Sequence, residues 1–302
     1  MKPSTWLPVL EQLASGNLIP GSKLGVSRGA VWQRVSYIKS LGVAVEASNL
    51  GYQIRHAIYL PNIKCIQDSF TMEIELLPEV TSTNALILES RTERCLMTLY
   101  QSQGRGRRGR QWVAAPGYAL MFSIGLWLES GSQDLSGLSV DIGVAICNFL
   151  NTQGISAYLK WPNDLWIGEG KLAGILTEMH GDQDRTFVIV GFGMNLEKPS
   201  GIDSSVACFH DQSRGLWRDD QTVGVIRAIL GTMSEYTISS PEDRMCRYRE
   251  VSLLETREVT VDDGVKKILG IAQGIDEFGR LRILTKSGIQ YVSAGDVSVR
   301  PI

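Results

Sequence analysis

Residues 160–178 read KWPNDLWIGEGKLAGILTE, and this stretch decides what kind of structure surrounds it. Pro162 has no backbone N–H and a fixed φ, so no continuous helix runs through it. Seven residues after Asp164, the apolar run that begins at Lys171 suggests a strand. Gly174 then marks a place where a ligand or another backbone comes close, and Lys171 is placed to face a bound anion. Taken alone, Asn163-Asp164 after a proline also reads as a turn, and a strand lysine also reads as a guard against edge pairing.

Upstream lies GRGRRGR, residues 104–110, in which four arginines alternate with three glycines. Crowded arginines repel one another, and glycines let backbone N–H groups close on an anion, so the segment reads as a clamp ordered by a phosphate or carboxylate. A solvated basic loop or a nucleic-acid arm is the other reading of the segment by itself. The spacing also satisfies G-x-G-x-x-G. The intervening arginines, and the QWVAAPGYA that follows without opening an amphipathic helix, exclude a dinucleotide-binding fold.

Two further segments flank these. VIVGFGMNL, residues 188–196, is a buried-looking strand whose glycines admit a ligand beside the backbone, with Asn195 able to donate and accept. Ser82-Thr83-Asn84 precedes ALILES at a helix start, where capping is the default role.

Working outward, the N-terminal part carries helical patterns over 5–14 and, from an N-cap at Ser27, through Val31, Val35, Ile38 and Leu41 to Gly42. VAVE and YQI follow as short strands about the turn ASNLG. Helix, turn, helix and wing suggest a DNA-binding module over residues 1–60. Alternating strands and helices over 66–250 indicate a mixed α/β domain, and short strands over 255–302 a small β-barrel. The fold class is α+β.

The 302 residues carry a formal net charge of −2, which excludes a chain built chiefly to coat nucleic acid or an anionic membrane. Cys65, Cys95, Cys147, Cys208 and Cys246 form no C-x-x-C pair and fit a reducing cytoplasm. The N-terminal MKPSTWLPVLEQL lacks an apolar signal core, and the longest apolar run, Tyr118 to Leu128, is too short to span a bilayer. Neither export nor a membrane anchor is expected.

Four segments in order, STN, QSQGRGRRGRQW, KWPNDLWIGEGKLAGILTE and VGFGMNL, resemble those of biotin protein ligases of the bifunctional ligase and biotin-operon repressor kind. The tail GIDEFGRLRILTKSGIQYVSAGDVSVR is similar to their SH3-like C-terminal barrel. The resemblance implies an N-terminal winged helix-turn-helix, a central biotin/lipoate ligase-type domain and that barrel. It implies a two-step reaction: the biotin carboxylate attacks the α-phosphate of ATP to give biotinyl-5′-adenylate, and a lysine of the biotin carboxyl carrier protein of acetyl-CoA carboxylase then takes the biotinyl group.

Carried over position by position, Ser82, Thr83, Asn84, Gln101, Gly104, Arg105 and Gly174 are expected at biotin, with Arg107 and Lys171 at its carboxylate and the phosphates. Arg110, Trp112, Asn163 and Asn195 are expected at the nucleotide, Trp112 by stacking on adenine. Lys171 is the leading catalytic residue, with Arg107, and Asp164 positions Mg²⁺ or the incoming amine. Arg28, Trp32, Gln33 and Arg34 are expected at operator DNA, and a homodimer in the adenylate-bound form.

The chain departs from the pattern in its N-terminal part. The segment from Pro20 to Ser27 is about four residues shorter than usual, close to one helical turn, which truncates the first helix of the helix-turn-helix. The wing lacks the customary lysine or arginine, and Glu46 adds a negative charge there. Ala119 stands where relatives carry Asn or Gly. Three rival readings remain: a ligase with a vestigial N-domain, a non-enzymatic biotin sensor, and a lipoyl or octanoyl transferase, from which the intact GRGRRGR points away.

Overall fold

The computed structural model describes residues 1–131, 135–181, 184–198, 206–211, 215–236, 240–262, 267–293 and 298–301. Parts of the expected strands VTVDD, IQYVSAG and DVSVR, at 263 and 294–297, and the expected domain limit at 302 lie outside them.

The N-terminal part begins with α1 (Pro3–Leu13) and α2 (Arg28–Ser40). The Ser27 hydroxyl caps α2 by accepting from the Ala30 N–H, and Gly42 at φ 97° closes it. Between the helices stands a single 3₁₀ turn, Gly21–Leu24, where the short Pro20–Ser27 segment leaves no room for a longer helix. Strands β1 (Val45–Ala47) and β2 (Tyr52–Ile54) pair antiparallel. Trp6, Val9, Leu10 and Leu13 of α1 meet Val31, Val35 and Ile38 of α2 and Ile54 of β2 in a core of their own. Each such side chain, fully buried, stabilises the packing by roughly 1.5–3 kcal/mol before chain entropy is subtracted. Ala115 and Tyr118 lean on this core, the Tyr118 hydroxyl accepts from the Ala44 N–H, and the Tyr37 hydroxyl donates to the Glu79 carboxylate.

A short helix α3 (Ile63–Gln67) leads to β3 (Glu73–Val80), α4 (Thr83–Ser90), β4 (Arg94–Gln101), β5 (Ala119–Leu128), α5 (Leu138–Thr152), β6 (Tyr158–Lys160), β7 (Asp164–Ile167), β8 (Gly170–Gly181) and β9 (Thr186–Asn195). The seven strands form one mixed sheet in the order β3-β4-β5-β9-β8-β7-β6, with only β3 and β4 parallel. Alternation sends Cys95, Met97, Val188 and Val190 to one face, under α5, α6 (Asp219–Glu235) and α7 (Pro241–Val251). Leu96, Phe187 and Ile189 go to the other, under Ile87 of α4.

The chain ends in five antiparallel strands, β10 (Glu258–Asp262), β11 (Lys267–Ile275), β12 (Leu281–Thr285), β13 (Gly288–Val292) and β14 (Ser298–Pro301), in the order β13-β12-β11-β10-β14. Val259, Ala272, Ile275, Leu281 and Ile283 of these strands belong to the same buried cluster as Ile146, Leu150, Val225 and Ile229 of α5 and α6. The last two layers therefore share one core.

Candidate active site

The α4 face of the sheet is carved by small residues. Across it, Met121, Gly193, Gly174 and Asp164 stand opposite one another on β5, β9, β8 and β7, and in the next row Ser123, Gly191 and Leu176 do the same. Missing side chains at Gly174, Gly191 and Gly193 leave a cavity of about 700 Å³. A Cβ would come within 2.2 Å of Asn84 Oδ1 at Gly191 and 2.7 Å of the Trp112 ring at Gly193, so something must shift there, and within 3.1 Å of the flexible end of Lys171 at Gly174.

One end of the cavity is cationic. Arg105, Arg107, Arg108, Arg110, Lys160 and Lys171 line it, and among the described residues Asp164 is the one acidic residue that does. Lys171 Nζ sits 2.6 Å from Asp164 Oδ1, the Arg107 guanidinium donates to Asn163 Oδ1 at 3.0 Å, and the Asn163 amide donates to the Ile175 carbonyl at 2.6 Å. The arginine segment forms a hairpin: Gly106 N–H donates to Arg110 O, Arg110 N–H to Arg107 O and Trp112 N–H to Gly104 O. Arg108 and Gly109, both near φ +60 to +70°, turn its tip. The indole N–H groups of Trp112 and Trp166 are buried without a protein partner. Donors left so in a cationic cavity suit an anionic ligand rich in acceptors.

The other end holds the neutral groups. Ser82 occupies the N-cap position of α4, yet its side chain makes no capping bond and is buried at the cavity wall. Thr83 N–H and Thr83 Oγ1 approach Gln101 Oε1 at 2.9 and 3.2 Å. Asn84 Nδ2 donates to Glu178 Oε2 at 2.6 Å.

The structure thus gathers Ser82, Thr83, Asn84, Gln101, Arg105, Arg107, Arg110, Trp112, Asn163, Asp164, Lys171 and Gly174 around one cavity. Two expected residues do not line it. Gly104 lies beneath the hairpin, where a Cβ would be 2.3 Å from the Trp112 carbonyl oxygen. The Asn195 amide donates to the backbone carbonyls of Lys171 and Ala207, so it holds the strand that carries Lys171. Ser123 and Glu178 were not foreseen, since each reads as an ordinary strand position. Away from the cavity, Arg28, Trp32 and Gln33 of α2 are exposed, whereas Arg34 is half-buried on its flank.

Among the described residues no group of three or more His, Cys, Asp or Glu side chains could hold a metal. With Asp164 the lone lining carboxylate and already paired to Lys171, the donor set does not fit a divalent cation held by the protein alone.

Residues 76–195, which supply all of the described cavity lining but Val206, match the model of the biotin/lipoate A/B protein ligase family, and residues 257–300 match the biotin protein ligase C-terminal domain. The chain resembles this family over both stretches. It is 29% identical over 310 residues to the bifunctional ligase/repressor BirA of Escherichia coli, covering 97% of each chain. It is also 29% identical to the biotin--[acetyl-CoA-carboxylase] ligase of Mycobacterium tuberculosis, over 74% of this chain and 88% of that one. Among solved structures, the biotin protein ligase of Aquifex aeolicus in complex with biotin and ATP superposes with a TM-score of 0.67 at 28% identity, covering 77% of this chain and all of that one.

Proposed function

We propose that the chain is a biotin protein ligase, which activates biotin with ATP and passes the biotinyl group to a lysine of the biotin carboxyl carrier protein. The observation that carries this reading is the two-ended cavity: six cations against one carboxylate, abutting a neutral wall of hydroxyls and amides. Joining a carboxylate to a phosphate brings two anions together, and fixed cations where charge develops lower that barrier. A carboxylate oxygen attacks the α-phosphorus and pyrophosphate leaves; the lysine amine then attacks the activated carbonyl and AMP leaves. Lys171 and Arg107 neutralise the reacting anions, and the hairpin 104–112 covers the mixed anhydride against water. Trp112, packed on Gly193, offers its ring and its unpaired N–H to the nucleotide.

The N-terminal part, α1 to β2, reads as a winged helix-turn-helix, and the five C-terminal strands as an SH3-like barrel. Exposed Arg28, Trp32 and Gln33 on α2 support operator recognition, the second half of the BirA relatives' name. Self-association when loaded with adenylate, and a cytoplasmic location, complete the proposal. No helix among the described residues is long and apolar enough to cross a membrane.

The test is incorporation of labelled biotin into a carrier domain by purified protein with ATP and Mg²⁺, beside Lys171→Ala and Arg107→Ala. Labelling by the wild type, reduced about a hundredfold or more in both variants, is expected where charge-assisted contacts of this kind are removed. Consumption of ATP with lipoate alone would favour a lipoyl transferase, and biotin binding without adenylate a sensor.

A further inference from the structure

The sheet row that floors the cavity does not stop at Asp164. Lys160 of β6 stands opposite Asp164, and in the neighbouring row Trp166 of β7 stands opposite Lys171 of β8. Asp164 and Trp166 are two residues apart on one strand, so their side chains share the cavity face. Lys160 Nζ lies 4.1 Å from the centroid of the Trp166 ring, and both residues line the cavity. Trp166 Nε1 is buried and finds no acceptor among the described residues. A ring whose face seats an ammonium group and whose edge carries an unused N–H leaves this end of the cavity rich in donors and without a second carboxylate among the described residues.

The strand order gives these donors a place in the reaction. Going across the sheet, the neutral wall stands beside β4 and β5, Lys171 on β8, and Trp166 and Lys160 on β7 and β6. A carboxylate whose ring rests on the neutral wall meets the α-phosphorus at Lys171. Trp112, packed on Gly193 of β9 with its ring centroid 5.9 Å from Lys171 Nζ, keeps the adenosine half on the near side of that lysine. Attacking and leaving oxygens lie roughly in line across the phosphorus, so the leaving group points away from the wall. It is directed over β7 and β6, a breadth of two strand spacings or about 10 Å from β8. Arg107, donating to Asn163 Oδ1 beside Asp164, brings hairpin charge to the same side.

Resting on the biotin ligase reading, we propose that Lys160 and Trp166 form a pyrophosphate subsite, which holds the β- and γ-phosphates of ATP and receives the leaving group. The carboxylate oxygen forms its bond to the α-phosphorus, the bond from that phosphorus to the oxygen bridging the β-phosphate breaks, and the oxygen keeps the electron pair as pyrophosphate. The Lys160 ammonium and the Trp166 N–H donate to the charge that gathers there and stay protonated throughout. The second step, in which AMP leaves, makes no use of this end of the cavity.

The experiment compares wild type, Trp166→Phe and Lys160→Met in two half-reactions: exchange of labelled inorganic pyrophosphate into ATP with biotin and Mg²⁺ present, and transfer to the carrier domain from supplied biotinyl-5′-adenylate without ATP. Phenylalanine keeps a ring beside Lys160 and removes the donor; methionine keeps the reach and removes the charge. KM for pyrophosphate should rise about tenfold in Trp166→Phe, the scale of one hydrogen bond to an anion, and about ten- to a hundredfold in Lys160→Met. Transfer from the supplied adenylate should stay within about threefold of wild type in both. If melting shows Lys160→Met to be unfolded, Trp166→Phe decides alone. An equal loss in the two half-reactions would make the pair a packing feature, and a raised KM for the carrier with exchange unaltered would give the N–H to the incoming protein. Either overturns the inference, while a wild type active in both half-reactions leaves the ligase reading standing. A wild type that makes no adenylate sinks both.

Discussion

Lys171 Nζ and Asp164 Oδ1 lie 2.6 Å apart across the β7–β8 pairing, so the leading cation of the site carries its own counter-charge. On the proposed reading, a phosphate oxygen that engages Lys171 competes with this carboxylate and frees Asp164 to accept from the incoming amine. In Asp164→Asn the lysine keeps its charge and the acceptor is lost. Adenylate should form within about threefold of the wild-type rate, while transfer to the carrier falls by about 10²- to 10⁴-fold, the range of a general base. Chromatography of the adenylate in a single-turnover quench separates the two steps, and an equal loss in both would refute this role.

Gly174 tests the same pair without touching either charge. A Cβ there stands 3.1 Å from Lys171 Nζ and 3.6 Å from Asp164 Oδ1, both ends of mobile side chains. Gly174→Ala should lower kcat by about tenfold, because misplaced charge stabilises the transition state less, with the melting temperature nearly unchanged. A large drop in melting would instead assign the glycine to packing.

Trp161 Nε1 donates to the Gly279 carbonyl at 2.9 Å inside the protein. Trp161→Phe keeps most of the ring and removes the donor, leaving a buried carbonyl unpaired. Urea denaturation should show a loss of about 1–3 kcal/mol with the m-value unaltered.

For operator binding, Arg28→Ala and Trp32→Ala change exposed residues of α2 far from the cavity. If Arg28 touches a phosphate, its loss weakens DNA binding evenly across sequences and reduces the salt slope by about one. Gel retardation over a salt series checks this. Retention unaffected by both changes, or none in the wild type, would leave α2 a structural helix.

These residues also show where a sequence can and cannot be read. The Ser27 cap, the Gly42 stop and the turn about Gly51 are local, each settled by backbone preferences within a few positions, and the structure places them there. The cations of the site were legible because arginines among glycines cannot form a core. Ser123 and Glu178 were not, since each sits in an apolar strand and meets Asn84 only when the order β5-β9-β8 brings Ser123 opposite Gly191 and Glu178 opposite Ile189. Asn195 follows two glycines, where a ligand is one reading, and in the structure its amide donates to the carbonyls of Lys171 on the neighbouring strand and of Ala207 beyond the sheet.

The core shared by α5, α6 and the last five strands makes the C-terminal segment a wall of the catalytic body rather than an attachment. A frameshift after residue 255 would strip Val259, Ala272, Ile275, Leu281 and Ile283 from the packing of α6 and of α5, a helix encoded more than a hundred codons earlier. Exchange of tails between related genes should therefore be rare unless the helices travel with them, and the two segments are expected to accumulate substitutions in step.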